Sequence, residues 1–444
     1  MLEVNKIYNM DCLEGLKQID DNSVDSIVTD PPYELGFMGK KWDATGIAYN
    51  IELWKECLRV LKPGGYLLSF GGTRTYHRMT VAIEDAGFEI RDMIEWVYGT
   101  GFPKGLNVGK QIDKLQGNER EVVGKKIHSH KGVKVAEERS VIGAGAFGEK
   151  REGDITKGTS EWEGWGTALK PAHEPIVMAR KPLEGGVAEN VIKHGTGAIN
   201  IDGCRIETED KTQRVNKGVE WGVRYDKSGN DPKDYGSALG RFPANLIHDG
   251  SEEVEEFFPD TAPSKSGTRR NRERNSDSAW VDALPQIDLE GGFDDSGTAS
   301  RFFKSIKSII YAPKASKSER EGGCDDLEEK PVAWSNQAKA ELERGNIDFD
   351  RNDGRKHNKV DISKNTHPTV KPLELMKYLV RMVTRVDGLT IDPFVGSGTT
   401  AVACSEVGVK YIGFEKDTDY AKIAQARIKE AESQTRLFPF GSGS

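Results

Sequence analysis

Leu389-Thr390-Ile391-Asp392-Pro393-Phe394-Val395-Gly396-Ser397-Gly398-Thr399-Thr400 reads as a strand that ends in a carboxylate and turns, through two glycines, into a helix running to about residue 407. Glycines at such a turn let the backbone come close to a ligand, and the helix that follows offers unpaired N–H groups at its start. The next apolar run, Val409-Lys410-Tyr411-Ile412-Gly413-Phe414, ends at Glu415. Glu415 follows Gly396 by nineteen positions, the distance at which nucleotide-binding α/β folds place an acid for a ribose. A glycine turn alone would be weak evidence. Strand, turn, helix, strand and terminal acid in this order describe half of a cofactor-binding α/β sheet.

Working outward, a second strand with a charged end lies near the start of the chain. The run Val24-Asp25-Ser26-Ile27-Val28-Thr29 is followed by Asp30-Pro31-Pro32-Tyr33. Two prolines fix φ near about −65° and donate no backbone N–H, so the Asp30 carboxylate and the Pro31 carbonyl can stand together as acceptors for a planar amino group. Tyr33 adds a flat surface for an unstacked base, a contact worth about 1–3 kcal/mol in nucleic-acid binders. Taken alone, these four residues read equally well as a proline-rich turn after a strand.

Several separated pieces together resemble the S-adenosylmethionine-dependent DNA amino-methyltransferases, in the permuted order in which the catalytic loop precedes the cofactor loop. They are Asn9-Met10-Asp11-Cys12, Asp30 to Tyr33, Leu61-Lys62-Pro63-Gly64-Gly65, His367-Pro368-Thr369-Val370-Lys371-Pro372, and Asp392 to Thr400. The chain looks most like the phage and restriction-associated adenine-N6 enzymes, because its loop begins with Asp where cytosine-N4 enzymes commonly have Ser. The resemblance implies a Rossmann-like, doubly wound, mostly parallel sheet with an inserted target-recognition region. It implies S-adenosyl-L-methionine as cofactor and double-stranded DNA as partner, and it allows a homodimer. Asp30, Pro31, Pro32 and Tyr33 would be catalytic. Asp11, Cys12, Lys371, Asp392, Pro393, Phe394, Gly396, Ser397, Gly398, Thr399, Thr400 and Glu415 would hold the cofactor, with Lys371 near its methionine end. Asp11 reads equally as the N-cap of a following helix, a role compatible with the first.

Composition constrains the remainder. At 444 residues the chain exceeds one compact core, so a large domain with a substantial insertion is expected. Its 63 basic and 71 acidic residues give a net charge of −8. A DNA-binding protein of that charge needs a local basic face, effective within about 8–10 Å. Cys12, Cys57, Cys204, Cys324 and Cys404 stand singly, without zinc or disulfide spacing, which points to a reducing, cytoplasmic setting; the resemblance implies a bacterial or phage-encoded protein. No metal is expected. No long apolar run or leader is evident, so neither a membrane span nor secretion is expected.

In chain order, residues 1–182 are expected to form the N-terminal part of the catalytic domain, with a flexible insert at about 100–166. The letters Gly143-Ala144-Gly145-Ala146-Phe147-Gly148 satisfy a nucleotide-loop pattern, but neither a strand before nor an apolar helix after supports that use. Glu174-Pro175-Ile176-Val177-Met178-Ala179 reads as an antiparallel partner of the strand through Trp96. Residues 183–300 are the expected target-recognition region, where Arg269, Arg270, Arg272 and Arg274 suit phosphates and guanine edges. Lys40 and Lys41, in a glycine- and aromatic-rich loop, are further candidates for DNA contact. Residues 301–440 would complete the cofactor-binding part, with a charged loop at about 315–365.

Three rival functions follow from the same residues. A cytosine-N4 enzyme has the same chemical needs, and a protein-glutamine methyltransferase also uses an aromatic Pro-Pro loop but with Asn first and the cofactor loop earlier in the chain. An idle nucleic-acid-binding module would not need Asp30, Asp392, Gly396, Gly398 and Glu415 together. The motif order also predicts that the strand ending near Asp11 lies next to the one ending at Glu415.

Overall fold

A computed structural model describes residues 2–36, 41–99, 101, 105–128, 151–207, 240–262, 264–265, 292–293, 296–306, 317–333 and 360–437. The chain divides into two compact units, the smaller drawn mainly from residues 98–172.

The larger unit is built on a nine-stranded sheet. In chain order its strands are β1 (Lys6–Tyr8), β2 (Val24–Thr29), β3 (Leu61–Phe70), β4 (Glu89–Val97), β5 (His173–Arg180), β6 (Leu246–His248), β7 (Lys304–Ser305), β8 (Leu389–Asp392) and β9 (Lys410–Phe414). Across the sheet they run β1-β9-β8-β2-β3-β5-β4-β6-β7. All pairings are parallel except those of β5, which is antiparallel to both β3 and β4. The sheet is therefore mixed but mostly parallel. Trp96 stands opposite Glu174, as the sequence predicts.

Both ends of the chain meet in the sheet. Ile7 pairs with Gly413 and Tyr8 with Phe414, so the first and last strands are parallel neighbours, as the motif order requires. The Asn9 side chain fastens this edge, donating to the backbone oxygens of Glu415 (2.8 Å) and Lys416 (3.1 Å).

Helices α1 (Cys12–Leu16), α2 (Ile51–Val60), α3 (Tyr76–Asp85), α4 (Val187–His194), α5 (Leu373–Val383), α6 (Thr399–Glu406) and α7 (Thr418–Leu437) lie between the strands. Leu53, Trp54, Cys57 and Val60 make the buried face of α2, and the Trp54 indole donates to the Ala48 carbonyl at 2.9 Å. Helical spacing predicts an apolar face of Leu373, Met376, Leu379, Val380 and Val383 on α5; the helix buries the last four together with Leu375, Tyr378 and Met382, and leaves Leu373 half-buried. Gly15 in α1 has no room for a side chain, since a Cβ there would lie 2.3 Å from the Phe414 ring. Hydrophobic burial of this continuous core supplies the main driving force for the fold.

Leu246–His248 and Lys304–Ser305 extend the catalytic sheet, because the short apolar run around Ile247 finds its hydrogen-bonding partner along β4. The described residues of 183–300 fall in the larger unit with the sheet, whereas the expected insert at about 100–166 falls within the smaller unit. That unit holds a helix, Val108–Gln116, and a hairpin of Glu121–His128 with Arg151–Lys157. Arg120 pairs there with buried Asp113 and with Glu163. Among the described residues no helix is long and apolar enough to cross a membrane.

Candidate active site

The carboxyl ends of β2, β8 and β9 converge, and their last residues form the site. Thr29, which closes β2, donates its hydroxyl to Asp392 Oδ1 at 2.6 Å. Thr400 donates to Asp392 Oδ2 at 2.6 Å, and the Phe394 N–H donates to Oδ1 at 3.0 Å. Buried Asp392 therefore ties β2 to the glycine turn. Burial raises its pKa to about 6, against the three hydrogen bonds that favour its charge.

The turn itself has the shape that the glycines anticipate. Gly396 has φ 52° and Gly398 φ 84°, the left-handed region that glycine enters at no steric cost. A Cβ on Gly396 would lie 2.8 Å from His367 Nε2. His367 is fixed by a hydrogen bond from Nδ1 to the Thr369 carbonyl (2.6 Å) and by an edge contact with Tyr420, ring centroids 4.6 Å apart. Burial lowers its pKa to about 4, so the ring is neutral and its Nε2 lone pair faces the turn. From below, buried Arg427 donates to the Ser397 carbonyl (2.7 Å), the Ser397 hydroxyl (3.1 Å) and the Thr399 hydroxyl (3.0 Å).

Glu415, the residue after β9, faces the turn. Its Oε2 accepts the Gly396 N–H at 3.0 Å and its Oε1 the Asp417 N–H at 2.8 Å, which leaves each oxygen a further lone pair. Burial raises its pKa to about 7. Asp11 caps α1 by accepting the Leu13 N–H at 3.0 Å, and its other oxygen meets Lys416 at 3.1 Å. Cys12 is buried beside it, and that burial pushes its thiol up to about 12, well away from nucleophilic chemistry.

On the other side stands Asp30. Its Oδ2 meets the Lys371 ammonium at 2.9 Å, and its Oδ1 is buried without a hydrogen-bond partner among the described residues. Lys371, for which the resemblance implies a place near the cofactor, also reaches the Tyr33 hydroxyl at 2.9 Å and Glu174 Oε2 at 3.0 Å. Its Nζ lies over the Tyr33 and Phe70 rings, 5.1 and 4.8 Å from their centroids. Tyr33 donates its hydroxyl to Glu174 Oε2 at 2.9 Å. The pKa of Asp30 is raised, first by burial and then by Glu174, while Lys371 opposes both. For Lys371, burial favours loss of the proton, but Asp30 and Glu174 outweigh it and hold the ammonium charged.

Sequence reading therefore located the carboxylates, the glycine turn and Tyr33. It missed Glu174, Arg427 and Thr29: Glu174 meets Tyr33 across 141 residues and Thr29 meets Asp392 across 363, while Arg427 meets Ser397 across 30. Arg269, Arg270, Arg272, Arg274 and Lys40 lie outside the described residues, as does the stretch from Gly143 to Gly148. Lys41 begins a short 3₁₀ turn, Lys41–Ala44.

A DNA methylase family model matches residues 24–426. The type II methyltransferase M.HindIII of Haemophilus influenzae is 27% identical over 241 residues, 44% of this chain and 65% of that protein. M2.DpnII of Streptococcus pneumoniae is 40% identical over 77 residues, covering 17% and 28% respectively. The chain thus spans less than two thirds of the length of either relative. Among solved structures, the M1.HpyAVI complex with S-adenosylmethionine aligns over 95% of this chain and 98% of its own at 14% identity and a TM-score of 0.35. The cytosine-N4-specific PvuII methyltransferase aligns over 97% and 91% at 13% identity and 0.39. With the family match extending from the catalytic strand to the last helix, the chain belongs to the S-adenosylmethionine-dependent N6/N4 DNA methylase family.

Proposed function

We propose that this protein is a site-specific DNA methyltransferase that methylates the exocyclic N6 amine of an adenine turned out of double-stranded DNA. The observation that carries the reading is the free Asp30 Oδ1, a buried carboxylate oxygen without a partner at the end of a central strand. An unsatisfied buried acceptor costs about 1–3 kcal/mol or more, and a donor on the substrate would relieve it.

The residues at the turn suit the cofactor. Glu415 has lone pairs left for ribose hydroxyls, and the Gly396 turn stays open because no Cβ intrudes toward His367. Asp11 and Cys12 stand at the neighbouring strand end for the base of the cofactor, while Pro393, Phe394 and Ser397 to Thr400 shape the wall. S-adenosylmethionine supplies an electrophilic methyl group carried on a sulfonium.

The chain's own residues would act on the target amine. Its nitrogen is a poor nucleophile because the lone pair is delocalised into the ring. Asp30 Oδ1 and the Pro31 carbonyl accept its two N–H hydrogens and draw the nitrogen toward tetrahedral geometry, while Tyr33 holds the ring. Base flipping makes that atom accessible. The negative charge at Asp30 stabilises the positive charge that grows on the nitrogen, which combines positioning with electrostatic preorganisation. The choice of adenine over cytosine rests on Asp at position 30. Five buried thiols agree with a reducing bacterial or phage-host cytoplasm. Sequencing that reports modified bases in DNA from cells expressing the protein tests the reading: N6-methyladenine at one recurring sequence supports it, and unmodified DNA overturns it.

A further inference from the structure

We propose that Glu174 is a positioning residue for methyl transfer: by drawing the Tyr33 and Lys371 protons to itself, it keeps Asp30 Oδ1 free for the target amine. This rests on the DNA methyltransferase reading above and names a residue that the catalytic loop does not contain.

Topology explains how Glu174 arrives there. In a parallel sheet the carboxyl ends of the strands carry the site, but β5 runs the opposite way. Its first residues therefore lie where β3 ends: Phe70 pairs with Ile176, and the Gly71 N–H donates to the Pro175 carbonyl at 2.9 Å. Glu174 is the next residue out, beside the loop that follows β2.

The hydrogen-bond inventory is tight. The Lys371 ammonium has three protons and three acceptors within 3.0 Å: Asp30 Oδ2, Glu174 Oε2 and the Tyr33 oxygen. Tyr33 has accepted one proton and must donate its own, and Glu174 Oε2 takes it at 2.9 Å. Without Glu174, one ammonium proton and the phenolic proton would both seek an acceptor, and the unpaired Asp30 oxygen is the neighbouring one. The oxygen reserved for substrate would then be occupied from inside the protein. The side chains of Asp30, Lys371 and Glu174 are 19%, 9% and 20% exposed, so water competes little for these protons.

Charge gives a second consequence. Two carboxylates around one ammonium leave the cluster with one net negative charge, set against the positive charge that develops on the amine. Lys371, Glu174, Tyr33 and Asp392 are the titratable groups that face Asp30. Of these, Glu174 pushes the Asp30 pKa up, so neutralising it should lower that pKa.

The test is steady-state methylation of genomic DNA from a methylation-deficient host, using tritiated S-adenosylmethionine across a pH series, for wild type, Glu174→Gln and Glu174→Asp. Cofactor affinity is measured by calorimetry on the same preparations. The amide oxygen of Glu174→Gln accepts the same two protons more weakly than a carboxylate oxygen and carries no charge. Expected is a fall in kcat of about tenfold to a hundredfold, as for a small misplacement of a reacting group. The acid limb of the pH profile should move to lower pH, with cofactor Kd within about twofold of wild type. Glu174→Asp, which keeps the charge, should retain the wild-type acid limb and recover part of kcat. An unchanged kcat and acid limb in Glu174→Gln would overturn the proposal. So would a loss of activity in both variants that tracks lost cofactor binding and thermal stability, which marks Glu174 as fold support. Wild-type enzyme that binds cofactor but labels no DNA would overturn the functional reading, and this proposal with it; labelling by wild type and Glu174→Gln alike overturns this proposal alone.

Discussion

Thr29 and Asp392, 363 residues apart in sequence, are joined by a 2.6 Å hydrogen bond between the ends of two strands that sit side by side in the sheet. Through it the catalytic loop and the glycine turn share one support. Thr29→Val keeps the shape and removes the donor, leaving a buried carboxylate with two of its three bonds. We expect a loss of about 1–3 kcal/mol in urea denaturation, accompanied by weaker cofactor binding and slower methylation together. Unchanged stability would show that Thr400 and the Phe394 N–H suffice to hold Asp392.

Cofactor affinity should depend on pH through Glu415. Its pKa is raised by burial from 4.5 to about 7, and in the proposed role a ribose hydroxyl would donate to the ionised form. Affinity should therefore strengthen from about pH 6 to about pH 8 and then level off, with protons released on binding below about pH 7. For folding the sign is opposite: a raised carboxyl pKa favours the fold below about pH 4.5, and that contribution is lost as pH rises through about 7. Calorimetry in two buffers of different ionisation heat counts the protons. Flat affinity over this range, or proton uptake, would show that Glu415 does not meet the ribose.

Gly396→Ala addresses the turn directly. The added methyl would need φ near 52° and would lie 2.8 Å from an anchored imidazole nitrogen. Left-handed backbone alone costs about 1–2 kcal/mol. We expect cofactor Kd to rise at least about tenfold while the far-ultraviolet circular dichroism spectrum stays that of wild type. Wild-type affinity in this variant would show that the turn does not approach the cofactor.

Much of this site was legible because its chemistry is local. Asp30-Pro31-Pro32-Tyr33 and the turn from Asp392 to Thr400 each carry a strand end, a rigid or glycine-permitted backbone and a polar group within a few residues. The order of the two also implied the pairing of Ile7 with Gly413. Glu174 was read only as the start of a strand, since the usual rule looks to the carboxyl ends of parallel strands and β5 is antiparallel. The resemblance implies a place for Lys371 near the cofactor but does not reveal that its long side chain reaches Asp30 and Tyr33. Arg427 gave no signal, because a single arginine on a charged helix looks like any solvated residue until Ser397 and Thr399 are seen against it. The boundary of residues 98–172 was hidden for a similar reason: neither its hairpin nor Arg120 with Asp113 and Glu163 shows the periodicity of a core.

The central claim is that Asp30 presents a free oxygen to an adenine amine. The direct measurement is mass spectrometry of nucleosides from DNA incubated with S-adenosylmethionine and either wild-type protein or Asp30→Ala, with cofactor Kd measured alongside. N6-methyladenine should accumulate with wild type and be absent with Asp30→Ala, whose cofactor affinity stays within a few-fold. N4-methylcytosine in place of N6-methyladenine would contradict the choice of base. No methylated nucleoside from wild type, or an undiminished yield from Asp30→Ala, would contradict the claim itself.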